Sequence, residues 1–181
     1  MNICVYCSAS PTIDPAYFET ARALGEGIAR RGDTLVYGGA SVGLMGEVAR
    51  TVQAGGARVI GVIPQALVDR EIAWPHADEL IVVETMRERK RIMEARADAF
   101  VALPGGIGTL DEVFEIMNLR QLRLTSSPLI LLNQAGFYEP VRALLQAMQQ
   151  AGFLRAELHE LVQFAPDVAH IFTILDAARP G

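Results

Sequence analysis

What the chain lacks narrows it first. It has two cysteines, one tryptophan and 7% aromatic residues, and no apolar run near the ~20 residues that cross a bilayer. Cys4 and Cys7 form a C-x-x-C, but no second pair exists to complete a zinc site. A redox pair normally opens a helix, whereas Ile3 to Tyr6 reads as a strand, where positions three apart point to opposite faces. Ordinary buried or loop-edge thiols are the expectation. His76, His159 and His170 are scattered without metal-ligand spacing, so no metal is expected, and no G-x-S-x-G elbow supports a serine hydrolase. The formal net charge of −5 gives no general attraction to nucleic acid, so any anion must be held locally. The first ten residues lack the basic region and long apolar run of a signal peptide. The expectation is a cytoplasmic protein with neither a nucleic-acid nor a membrane partner.

What is present suits one domain over residues 1–181, with 51% hydrophobic and 20% charged residues. Strand candidates fall at 2–6, 34–37, 58–63, 79–83, 99–103, 129–132 and 161–164. Several are continuous Val/Ile/Leu runs without polar alternation, as in parallel strands covered on both faces. Helix candidates alternate with them at 15–31, 43–54, 86–97, 110–124, 137–151 and 167–177, with Pro15 suited to a first turn and Gly32 and Gly152 to stops. This rhythm predicts an α/β fold: a doubly wound, mostly parallel sheet of about seven strands with helices on both faces. Ligands in such sheets sit beyond the carboxyl ends of the strands, where the glycines cluster here.

Two glycine-rich turns stand out. The second strand ends in Tyr37-Gly38-Gly39-Ala40-Ser41-Val42-Gly43-Leu44-Met45-Gly46-Glu47, and the fifth in Pro104-Gly105-Gly106-Ile107-Gly108-Thr109. Each leads into a helix, whose unpaired N–H groups and positive dipole end suit a phosphate. Neither fits a better-known signature. Gly39, Gly43 and Gly46 miss the dinucleotide spacing, no acidic residue follows in 58–63 to hold a ribose, and the second turn lacks the Walker lysine. The alternative is that the glycines only make tight turns; two such turns in one small domain favour phosphate.

Thr109-Leu110-Asp111-Glu112 is T-x-x-E, a capping box in which Glu112 returns to the backbone of Thr109. The same carboxylate would stand beside a bound phosphate, where a negative charge wants a chemical reason. Met86-Arg87-Glu88-Arg89-Lys90-Arg91-Ile92-Met93 carries four basic residues in eight. Such runs are usually solvated faces. Helical spacing nevertheless puts Arg89 on one stripe with Met86 and Met93 and leaves Arg87 and Arg91 as surface charges.

Pro104-Gly105-Gly106-Ile107-Gly108-Thr109-Leu110-Asp111-Glu112 matches P-G-G-x-G-T-x-x-E. With the upstream glycine turn and Met86, Arg89 and Lys90, the chain resembles the LONELY GUY (LOG) family of cytokinin riboside 5′-monophosphate phosphoribohydrolases, often mislabelled lysine decarboxylases. The likeness runs from Val5-Tyr6-Cys7-Ser8-Ala9-Ser10 to Gly152-Phe153-Leu154. It implies a dimeric Rossmann-like enzyme that splits the N-glycosidic bond of an adenine nucleotide monophosphate without metal or organic cofactor. By motif position, Arg89 and Glu112 would be catalytic. Glu71, Lys90, Gly105, Gly106, Ile107, Gly108, Thr109, Leu110, Asp111 and Asn118 would bind substrate. Gly38, Gly39, Gly43, Met45, Gly46, Ser8 and Met86 are further candidates. Two departures stand out: Ala40 where relatives carry a third glycine, and Asn118 through Thr125 in place of an aromatic-containing run and a glycine.

The resemblance fits the chemistry, because a ribosyl C–N bond that breaks leaves positive charge on the sugar, which a fixed carboxylate stabilises. A decarboxylase would need a pyridoxal-binding lysine in a recognisable site, and none is evident. The rival is a nucleotide- or molybdenum-cofactor-binding carrier, or a nucleotide sensor, on the same scaffold without hydrolase activity. Such a protein would keep the glycine turns but have no need of Arg89 and Glu112 as a pair. Apolar positions on helices 86–97 and 110–124 exceed what one buried face needs, as expected of a partner surface.

Overall fold

In a computed structural model, which describes residues 1–70 and 72–179, the predicted alternation becomes one seven-stranded sheet. The strands are β1 (Asn2–Tyr6), β2 (Thr34–Tyr37), β3 (Val59–Pro64), β4 (Glu79–Val83), β5 (Ala99–Ala102), β6 (Leu129–Leu132) and β7 (Gln163–Ala165). They run in the order β4-β3-β2-β1-β5-β6-β7, with every neighbouring pair parallel. Parallel neighbours need crossovers, supplied here mainly by α1 (Pro15–Arg30), α2 (Gly43–Ala54), α4 (Met86–Ala95), α5 (Ile107–Gln121), α6 (Glu139–Gln150) and α8 (Val168–Ala177).

The sheet is buried on both faces, so its central strands have no polar alternation; β3, β5 and β6 are buried at every position. One core cluster joins Ile3, Val5, Leu35 and Tyr37 to Leu24, Ile28, Leu44 and Val48 of α1 and α2. The other joins Cys4, Val36 and Phe100 to Met93, Val113 and Ile116 of α4 and α5. Cys4 and Cys7 fall in opposite clusters as free, buried thiols, which is the strand geometry expected of them. Burial first of all pushes both thiols well above the ordinary cysteine range, so neither is a thiolate.

Two short helices were not anticipated: α3 (Gln65–Val68) and α7 (Leu158–Leu161). Leu161 ends α7, so the last strand starts two residues later than the 161–164 reading. The helix expected from 110 begins at Ile107, with Gly106 as its N-cap and no side-chain cap. Thr109 therefore lies inside α5, and the Thr109–Glu112 capping box does not form. The box-like cap is at the previous helix, where the Thr85 hydroxyl accepts from the Glu88 amide at 3.2 Å and the Glu88 carboxylate accepts from the Glu84 amide at 3.2 Å. No helix among the described residues is long and apolar enough to cross a membrane.

Candidate active site

Strand order reverses between β1 and β5, and the crevice beyond their carboxyl ends is the expected ligand position. A cleft of about 410 Å³ lies there, within the ordinary range for small-ligand sites. Each wall comes from a strand end. Cys7, Ser8 and Ala9 follow β1; Gly38, Ala40, Val42 and Met45 follow β2; Gly106, Gly108, Thr109 and Glu112 follow β5. Met86 and Arg89 of α4, with Leu67 and Ile72 from the segment after β3, close it. The β5 end is held by the Leu103 amide, which donates to Tyr6 O at 2.9 Å, and by the buried Tyr138 hydroxyl, which donates to Leu103 O at 2.7 Å.

The two glycine turns, alike in sequence, are used differently. At α2 the amides of Leu44 and Met45 already donate to the Ser8 carbonyl, at 2.9 and 3.4 Å. Gly43 makes that approach possible: it has φ +59°, and a Cβ there would lie 2.5 Å from the Ala9 carbonyl carbon. The strand end before it is pinned by an Ala40–Ala73 bridge, with Ser41 N donating to Ile72 O at 2.7 Å and Trp74 N to Gly39 O at 2.8 Å. Ala40 is not among the left-handed residues, so its methyl costs no backbone strain. At α5, by contrast, the amides of Ile107, Gly108 and Thr109 have no hydrogen-bond partner among the described residues, and a Cβ on Gly106 or Gly108 would meet nothing within 4 Å. These are the orphan donors of a helix N-terminus facing a cleft, a built position for an anion.

About one and a half turns into α5, Glu112 meets Arg89. The Arg89 Nη1 donates to Glu112 Oε1 at 2.9 Å, and its Nε donates to the Val62 carbonyl at 3.1 Å. Arg89 is 5% exposed and Glu112 6%. Burial pushes the Glu112 carboxyl above its ordinary value, against the opposing pull of Arg89. The predicted stripe is present: Met93 is fully buried below Arg89, Met86 is exposed at the cleft mouth, and Arg87 and Arg91 face solvent.

Of the residues expected at the site, Ser8, Gly38, Met45, Met86, Arg89, Gly106, Gly108, Thr109 and Glu112 line the cleft. Gly39, Gly43, Gly46 and Gly105 support it from behind through close backbone or side-chain contacts. Leu110 packs into the core. Ile107 points outward and is 82% exposed. Lys90 and Asp111 pair with each other at 3.0 Å outside the cleft, and Asn118 lines a separate groove with Phe114 and Leu145. Glu71 lies outside the described residues. Val42, Leu67 and Ile72 were not singled out from the sequence: two are loop residues and Leu67 lies in the four-residue α3, and no period or motif marks them.

A Rossmann-like α/β protein with open helix-N-terminal amides and a buried arginine–carboxylate pair at its switch point is thus defined by geometry alone. A family model described as "Possible lysine decarboxylase" matches residues 45–175. The cytokinin riboside 5′-monophosphate phosphoribohydrolase of Mycobacterium marinum is 42% identical over 181 residues, spanning 99% of this chain and 94% of that protein. The rice enzyme of that name, LOG, is 40% identical over 179 residues, 99% of this chain and 74% of its own length. The molybdenum cofactor carrier protein of Chlamydomonas reinhardtii superposes with a TM-score of 0.74 over 98% of this chain and 96% of that one, at 24% identity, a likeness of fold. The chain belongs to the LOG family of cytokinin riboside 5′-monophosphate phosphoribohydrolases, the family that the decarboxylase description covers.

The residues do not fit a pyridoxal enzyme, which needs a lysine amine in its site. Lys90, the only lysine in the sequence, is bound to Glu115 at 2.8 Å and Asp111 at 3.0 Å and does not line the cleft. The Glu115 carboxylate, aided by Asp111, holds its ammonium above the ordinary lysine value, the opposite of what a nucleophilic amine requires.

Proposed function

We propose that the chain hydrolyses the N-glycosidic bond of a cytokinin riboside 5′-monophosphate or of AMP, releasing free base and ribose 5-phosphate. The observation that carries this reading is the buried Arg89–Glu112 pair in the same cleft as the open amides of α5. The 5′-phosphate rests on Ile107, Gly108 and Thr109, a monophosphate being what one helix N-terminus without a Walker lysine suits. Binding there fixes the ribose over Glu112, far from the group that grips it. As the C1′–N bond lengthens, positive charge grows on the sugar; the Glu112 carboxylate stabilises it and takes the proton of the attacking water. The base departs with the bond electrons and takes a proton from solvent, while Glu112 gives its own back to solvent, so one water is consumed per bond broken. Arg89 orients Glu112 through Oε1, while no described residue donates to Oε2, which is left for water or ribose. The relatives that bear the phosphoribohydrolase name, matched over 94% and 74% of their own length, support this chemistry.

We place a homodimer on the outward face of α4 and α5. Met86, Ile107 and Phe114 are exposed apolar side chains there, and Lys90, Asp111 and Asn118, expected at the site by motif, lie on this face rather than in the chain's own cleft.

The test is incubation with AMP and with isopentenyladenosine monophosphate, measuring free base. Release from either is the expected result. Tight nucleotide binding without release would favour a carrier, the activity named for the Chlamydomonas protein.

A further inference from the structure

We infer that the first glycine turn is the seat of Arg89, and that Gly38 is a positioning residue for the Arg89–Glu112 pair. Gly38 is not in the left-handed region, so its backbone conformation does not call for glycine. What calls for glycine is space. A Cβ at Gly38 would lie 2.0 Å from Arg89 Nη2, 3.1 Å from Cζ and 2.9 Å from Met45 Sδ, with no backbone atom among these nearest neighbours. The thioether is a flexible end and can turn aside. The guanidinium has little freedom to follow, because it is buried and its Nε and Nη1 are engaged by Val62 O and Glu112 Oε1. The turn itself is anchored by the Ala40–Ala73 bridge and the Ser41 and Trp74 amides. Between an anchored strand end and a side chain held by two hydrogen bonds, an added methyl displaces the side chain. Gly39 differs: its φ is +74° and a Cβ would press on the Ile63 side chain at 2.8 Å and the Val62 carbonyl carbon at 3.3 Å.

The turn thus acts on the reaction through Arg89 rather than through the phosphate, whose cradle is at α5. The groups facing Glu112 are Cys4, Tyr6 and Cys7 from β1 and the residue after it, Arg89 and Lys90 from α4, and Asp111 on its own helix. Burial keeps the thiols and the phenol protonated, so Arg89 is the close counter-charge.

The kinetic consequence rests on the hydrolase reading; the geometry does not. The experiment is Gly38→Ala, Arg89→Lys and the double variant. In Gly38→Ala, infrared titration of the Glu112 carboxyl, with Glu112→Gln to identify its band, should show the pKa about one unit or more above wild type. With isopentenyladenosine monophosphate, kcat should fall about tenfold or more with KM little changed. Lysine lacks Nη2 and clears the new methyl, so Gly38→Ala should change little in the Arg89→Lys background. An unmoved carboxyl pKa in folded Gly38→Ala, or equal losses in both backgrounds, would overturn the inference. If Gly38→Ala alone misfolds and the double variant folds, the clash with Arg89 is supported; if both misfold, the seat assignment is overturned. Should the wild type hydrolyse neither nucleotide, the hydrolase reading fails while the carboxyl titration still decides this one.

Discussion

Glu112 and Arg89 leave water together, and two opposing effects set the acidity of the carboxyl. Burial raises its pKa and Arg89 lowers it, with burial the larger. In the proposed mechanism the active form is the carboxylate, which is lost as pH falls through the raised value. The acid limb of kcat/KM should therefore lie at higher pH than an ordinary carboxylate would give, and a pH–rate profile checks it; a limb at or below the usual glutamate value would contradict this ordering. Arg89 was legible in the sequence because a basic residue on the Met86–Met93 stripe has nowhere apolar to go without a partner. Its partner was legible from the family motif. That the two act as a pair was expected from the motif as well; the hydrogen bond joining them crosses from α4 to α5, 23 residues apart, and no local pattern encodes its geometry.

At the scale of elements, the two glycine turns show what spacing conceals. Both read as strand, turn and helix start, yet the amides of α2 are engaged by Ser8 and those of α5 are open. That distinction depends on where the chain after β1 passes, which no local pattern encodes. The start of α5 was misread for a local reason: Thr109 and Glu112 have capping-box spacing, and Pro104-Gly105-Gly106 looks like a longer turn. Gly108 stands in the first turn of α5 with open space around it. Alanine there should leave stability unchanged or raise it by up to about 0.5–1 kcal/mol, as for glycine in a helix. It should weaken nucleotide binding about tenfold, because the methyl occupies the cradle; melting and equilibrium binding measure the two effects separately. At the other end of α5, Arg123 has φ +58°, with Arg123 N donating to Arg120 O and Leu124 N to Leu119 O, each at 2.9 Å. This is a Schellman stop with arginine at the position that favours glycine. Arg123→Gly should stabilise the fold by about 1 kcal/mol, or ~2–4 °C in Tm. A lower Tm would mean that the arginine side chain contributes more than the backbone strain costs.

At the scale of the whole molecule, the seven strands were legible because a doubly covered parallel sheet writes itself as apolar runs, and the switch point follows from their order. The short helices α3 and α7 were not, since four residues carry no helical period. Asn118 was assigned to the site by motif but lies in a groove apart from the cleft. A second copy over α4 and α5 would account for the outward motif residues and for Phe114, which is 37% exposed. Sedimentation should give a dimer, and Phe114→Glu should shift it towards monomer; a wild-type monomer at micromolar concentration would remove the proposed interface. In the proposed mechanism Glu112 performs the chemistry while the α5 amides hold the phosphate. The most direct measurement is base release from isopentenyladenosine monophosphate by Glu112→Gln, alongside binding of that nucleotide. Turnover should fall about 10²–10⁴-fold with binding largely kept. Turnover equal to wild type in the folded variant would contradict that mechanism.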